Sequence, residues 1–299
     1  MTNKHTDQEL IDLILKLEDE LQAKGLVPKY RAFGLPICAM QKLGYKNFLV
    51  LDPGSNPLLE RIHNLHKPFY RDKDILSGGS HGGAFMFRGI AAMIHAPIWY
   101  GKKEINPWEL NDLTPFQKKW LQSNNEDHQA YLATCCDIFD FSLLFNQIEG
   151  CNSPPADSVK FLELAAFQLQ GASTTLCQAF DVRGSTQSAL LGAELALKGA
   201  LRGRNFTEEQ LRGRCYGHNL INLVEKVGDE YEGFDKDRVL EHCQDLPQLV
   251  ENRYTGNQPS RVEAGKYVMF CQFIAGEVAR ILTNWRLQDH LNLPGPSPS

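Results

Sequence analysis

The 299-residue chain has no Cys-x-x-Cys pair, no membrane-length apolar run and no marked excess of either charge. Its eight cysteines, at positions 38, 135, 136, 151, 177, 215, 243 and 271, are scattered. Several fall in apolar helical stretches, where a free thiol behaves as a small hydrophobe. No apolar run approaches the length that spans a bilayer, and the leading MTNKHTDQEL lacks the apolar core of a signal peptide. The expectation is a reduced, soluble, cytoplasmic protein with no membrane partner. Basic and acidic residues number 16 and 18 over residues 1–155 and 15 and 18 over 156–299, which argues against wholesale nucleic-acid coating. Locally, Lys198, Arg202, Arg204, Arg212 and Arg214 outnumber Glu208 and Glu209, a run that reads first as a solvated basic turn.

Several chemical signatures are incomplete. Ser77–Gly83 (SGGSHGG) is glycine-rich and precedes the apolar run Ala84–Ala96, for which a helix is expected. Such a loop can cradle an anion. It has neither the Gly-Lys-Ser/Thr ending of a phosphate loop nor the G-x-G-x-x-G spacing, so it reads as a connector with His81 as a candidate. His63 and His66 share one face of an expected helix over Asn56–His66, but metal ligation wants a third ligand. They read as surface histidines, and neither metal nor cofactor is expected. Trp99, Tyr100, Trp108, Phe116 and Trp120 lack basic interleaving and read as core rather than as a base-stacking platform.

Helical pattern dominates what is present. Thr6 and Glu9 form a capping box for a helix over 7–24, with Leu10, Ile14, Leu17 and Leu21 as its stripe and Gly25 as its stop. Lys46–Asp52 reads as a short strand or buried connector. Asn106-Pro107 and Thr114-Pro115 open two helical turns, and residues 126–148 form an apolar helix. Gly150–Pro155 is the expected boundary. Beyond it, helices are expected over Ala156–Phe180, Thr186–Leu201, Asn219–Val227, Lys236–Asp245 and Ser260–Arg286, with His218 or Asn219 able to cap the third. The tail from residue 288, ending LPGPSPS, is expected to be disordered. The expected fold class is mainly all-α: a largely helical region over 1–150, then an up-and-down bundle of about five helices over 156–287.

One position breaks the pattern. Leu190, Glu194, Leu197 and Leu201 fall at spacings of four, three and four, so a carboxylate occupies a stripe that is otherwise apolar. Buried bare, it costs several kcal/mol. Lys198 lies one turn on, in the favourable orientation for an i,i+4 pair. The pair is therefore either an exposed helix pair at the stripe's edge or part of a polar cluster inside the bundle.

Three segments stand in order: AELALK (Ala193–Lys198), GHNLINLV (Gly217–Val224) and Asn252-Arg253-Tyr254 before the final helix. Together they resemble the HEPN domain, a helical bundle of prokaryotic stress and defence proteins, over about residues 156–287. Some members of that family are metal-independent endoribonucleases carrying Arg and, a few residues on, His at the final helix. The His would act on the ribose 2′-hydroxyl and the Arg would hold the phosphate. Others lack the dyad and bind nucleotides or partners. No His follows Arg253 or Arg261 within reach. Arg212 and His218 have the spacing, five residues between them, but stand before the third helix of the bundle.

The resemblance thus implies a non-catalytic protein of bacterial stress, antiviral defence or a toxin–antitoxin setting. It would bind RNA, a nucleotide or a protein partner and pair with itself or another protein. Glu194, Lys198, His218, Arg253 and Tyr254 form the expected polar cluster. The alternatives are a ribonuclease using Arg212 and His218, and a structural subunit whose residues 1–150 dock a partner.

Overall fold

The computed structural model describes residues 5–45, 56–70, 81–97, 106–145, 151–179, 181–247 and 258–290, less the side chains of residues 29 and 33. The chain divides into two compact units between Ser77 and Gly78. The division expected at residues 150–155 falls inside the second unit, where the Asn152 N–H donates to the Thr283 carbonyl at 2.9 Å. The fold is mainly helical, with one two-stranded sheet among the described residues.

The first unit holds α1 (Asp7–Ala23), α2 (Pro28–Lys42) and α3 (Pro57–His66). Thr6 and Glu9 close the capping box as expected, and Leu10, Ile14, Leu17 and Leu21 are all buried. Gly25 ends α1 with φ +78°, its N–H donating to Gln22 while Leu26 N–H reaches back to Leu21. That is a Schellman stop, which needs a residue free to adopt left-handed backbone. The α1 stripe packs on Leu35, Ala39 and Met40 of α2 and Leu59 and Ile62 of α3. Helix α2 was not expected, because Pro36 sits inside it and proline removes a helical donor. His63 is exposed as expected, but His66 is buried, with its Nε2 2.8 Å from Glu18 Oε1. A carboxylate from α1 supplies the partner that lets this imidazole leave the surface.

In the second unit, the helix expected over Ala84–Ala96 is a β-hairpin. Strand β1 (His81–Phe87) pairs antiparallel with β2 (Ile90–Ala96), Phe87 facing Ile90 across Arg88-Gly89. Arg88 and Gly89 both have positive φ, 48° and 82°, which suits the tight turn between right-twisting strands. Every residue of β1 is buried. Phe85 and Phe87 face a core with Tyr131, Ile138 and Phe139, while Ala84 and Met86 face the larger helical core. A strand buried on both faces shows no alternation, so periodicity cannot separate it from a buried helix.

The remaining helices are α4 (Pro115–Gln122), α5 (Asn125–Leu143), α6 (Ala156–Gln178), α7 (Val182–Arg202), α8 (Glu208–Arg212), α9 (Leu220–Glu230), α10 (Lys236–Cys243) and α11 (Arg261–Thr283). Asn106 caps a 3₁₀ turn over Pro107–Glu109, and Thr114 with Gln117 boxes the start of α4. Helix α7 packs most extensively on α6 and next on α11, and α11 in turn packs on α5. Close approach of α6 and α7 depends on Gly192 and Gly199, where an added Cβ would come within 2.7 Å of Leu169 and 2.9 Å of Leu162. The hairpin is pinned to this body by Gln272 of α11. Its Oε1 accepts from the Ala84 N–H at 2.7 Å and its Nε2 donates to the Ala84 carbonyl at 2.8 Å. The bundle therefore recruits α5 and the hairpin from residues before 150, alongside the expected helices. Of the aromatics expected in the core, Trp108 stacks on Tyr131 at 4.6 Å. Phe116 does not join it, being 78% exposed, and Trp120 is partly exposed under Arg88. Trp99, Tyr100 and Lys46–Asp52 lie outside the described residues.

Candidate functional site

Helix α7 buries the stripe Leu190, Glu194, Leu197 and Leu201 whole, with Glu194 only 3% exposed. The edge-of-stripe alternative is thereby removed. Both carboxylate oxygens are occupied: Lys198 Nζ donates to Oε1 at 2.6 Å, and His218 Nδ1 lies 3.0 Å from Oε2. Lys198 is buried as well and donates to the Gly217 carbonyl at 2.6 Å. A charge-assisted chain therefore runs from Gly217 through Lys198 and Glu194 to His218, fastening the loop before α9 onto the middle of α7.

The His218 side chain is 53% exposed, although its anchor is almost fully buried. A carboxylate only accepts, so Nδ1 donates to Glu194 and Nε2 is the nitrogen left for a ligand. The cap of α9 is Asn219, whose side chain accepts from the Asn222 N–H, so His218 is not spent on capping.

The remaining expected site residues fall elsewhere. Arg212 donates to Glu208 at 2.8 Å, an i,i+4 pair whose guanidinium is 79% exposed. Among the described residues no hydrogen bond or ion pair joins Arg212 to His218. Arg253 and Tyr254 lie outside the described residues. So do residues 77–80 of the glycine-rich stretch. His81, at its end, is buried at the start of β1 against Phe141, and burial pushes its imidazole down to about 4. A neutral imidazole under an aromatic edge is a core residue, not an anion ligand.

Beside the cluster, α6, α7 and α8 enclose a cleft of about 240 Å³. Phe161, Leu164, Leu195 and Leu211 line it, with Lys160, Lys198, Arg212 and Glu208 among its polar groups. The capping box of Thr207 and Gln210 starts α8 and sets Glu208 and Arg212 on the outer wall.

Two further polar clusters escaped the sequence reading. Arg280 of α11 is 8% exposed and meets three carboxylates, Asp137 and Asp140 of α5 and Glu277 one turn back, each at 2.6 Å. Asp140 also accepts from the Leu287 N–H at 2.8 Å. Burial raises Asp137 and pushes Asp140 up to about 6, against the pull of Arg280. Burial likewise opposes the charge on Arg280, but the three carboxylates hold it above its ordinary value. The available signal was Asp137-x-x-Asp140 inside an apolar helix and Glu277-x-x-Arg280 inside another, the same kind of misfit that exposed Glu194. In the first unit, Glu18 gathers Arg31, His66 and Tyr70 from the other helices and the turn after α3. Among the described residues no three His, Cys, Asp or Glu side chains converge as a metal centre. None of the described helices is long and apolar enough to cross a membrane.

No protein-family model, curated protein or solved structure matches the chain.

Proposed function

We propose that this is a HEPN-like protein that binds RNA or a nucleotide without cleaving it, in the cytoplasm of a bacterium under stress or phage attack. The observation that carries the reading is the half-exposed His218, held through Nδ1 by a carboxylate that the fold has buried. An imidazole fixed at one nitrogen and open at the other fastens the loop and also presents a pre-oriented contact group, which loses little freedom when a ligand arrives. The nearby cations Lys160 and Arg212 supply charge of the sign that phosphate requires.

One observation favours a metal-independent endoribonuclease: a carboxylate-held imidazole is also the arrangement of a general base. The weight lies against it, since at the final helix, where the dyad of that family stands, no His follows Arg253 or Arg261 within reach. Titrating the protein with short single-stranded RNA in chelator, and examining the ends, separates the two. Saturable binding with intact RNA is the expected result. Cyclic-phosphate ends that vanish in His218→Ala would install the nuclease instead, and absence of any RNA binding would remove the nuclease and the RNA half of the proposal.

A further inference from the structure

We propose that the cleft between α6, α7 and α8 is a site for a single aromatic ring and the phosphate attached to its compound, rather than for a stretch of a strand. The proposal rests on the reading above that the ligand carries phosphate, and it adds where the phosphate sits and what is attached to it. The cleft's about 240 Å³ falls below the about 300–1,000 Å³ of pockets that enclose a drug-sized ligand, so its volume suits one ring rather than a row of bases. Its apolar part is made of Phe161 and Leu164 on α6, Leu195 on α7 and Leu211 on α8. Leu164 is 42% exposed, an apolar rim that a flat ring would cover.

Charge marks the place of the phosphate. Lys160 and Arg212 approach from opposite walls, with side chains 74% and 79% exposed and free to rearrange. Between them now stands the carboxylate of Glu208, 2.8 Å from Arg212 and 3.9 Å from Lys160. The protein's own acid thus occupies the point where two mobile cations meet, and it is 38% exposed, with room to turn outward. A phosphate would replace it there, gripped in two places by the guanidinium. At the inner end Lys198 is committed to Glu194 and Gly217, so it contributes its stem to the wall and joins the cleft to the loop that carries His218.

The test is calorimetry on the full chain with adenosine 5′-monophosphate, phenyl phosphate, adenosine and inorganic phosphate. The two aromatic phosphates should compete for one site, with adenosine and inorganic phosphate each at least about tenfold weaker, since each lacks one half of the recognition. Leu164→Glu, an exposed change that the fold should tolerate, should abolish binding. Arg212→Ala should weaken it about tenfold, the worth of a charge-assisted contact. Glu208→Gln should tighten it about threefold by removing the internal competitor. The proposal is overturned if neither aromatic phosphate binds, if inorganic phosphate binds as well as they do, or if Leu164→Glu binds like the parent. RNA binding that survives without mononucleotide binding removes the cleft proposal alone. Mononucleotide binding that obeys these variants, in a protein that ignores RNA, keeps the cleft and removes the RNA reading.

Discussion

The Glu194 and Arg280 clusters are assembled from the same parts, and they differ in the side chain each presents to solvent. Each has an acid and a base one turn apart on a buried helix, Glu194 with Lys198 and Glu277 with Arg280. Each draws a further partner from elsewhere in the chain. Around Arg280 those partners are Asp140, buried, and Asp137, mostly buried, and the exposed member is Arg286, 37% exposed and 3.7 Å from Glu277. Around Glu194 the partner is His218, half in solvent. Arg286 only reaches the edge of ion-pair range, with Glu277 already held by Arg280, whereas His218 is a hydrogen-bonded member of its cluster with a second ring nitrogen left to meet a ligand.

The comparison breaks most readily at Arg280. Arg280→Ala strips Asp137 and Asp140 of their ion-pair partner and leaves Glu277 only Arg286 at 3.7 Å, and should cost about 3–5 kcal/mol in denaturant unfolding, enough to threaten folding. Glu194→Ala should cost somewhat less, about 2–3 kcal/mol, because Lys198 keeps the Gly217 carbonyl when its carboxylate is gone.

A pH titration sharpens the contrast. Asp140 holds its proton more tightly folded, at about 6, than at its ordinary 3.8. The folded carboxyl therefore binds more protons between those values, so Asp140's own contribution to stability should fall as pH rises from 4 through 6 and then level off, against the opposite slope from His81, held down to about 4. The difference between the parent and Asp140→Asn isolates that contribution, which should shrink by about 1–3 kcal/mol across the window, while the asparagine oxygen still accepts from Leu287. The smallest effect belongs to the open arm: His218→Ala should change stability by about 1 kcal/mol, since Glu194 keeps Lys198 on its other oxygen and water can replace the half-exposed ring.

Much of the fold could be read from the sequence where a helix has one apolar face. The α1 stripe with its capping box, and α6, α7, α9 and α11, all fall where spacing places them. The hairpin was missed because β1 is buried on both sides and its residues carry no period to read. Helix α2 was missed because proline within a helix argues against helix on local grounds, and packing on α1 and α3 overrides it. Within the candidate site, Glu194 and Lys198 were legible because a charge in an apolar stripe demands a partner. The identity of the third member was legible only through the resemblance, since its contact with Glu194 crosses 24 residues. The Arg280 cluster carried the same signal in α5 and α11, but its polar residues sit beside the dominant stripes rather than on them.

The most direct measurement pairs a binding titration with an unfolding curve on His218→Ala and on the parent protein, using one short single-stranded RNA. If the open arm is a recognition group, affinity should fall at least about tenfold, the value of one well-placed hydrogen bond to a charged group, while the unfolding midpoint barely moves. Unchanged affinity, or a midpoint that collapses together with binding, would contradict the account and make the Glu194 cluster a second scaffold like the first.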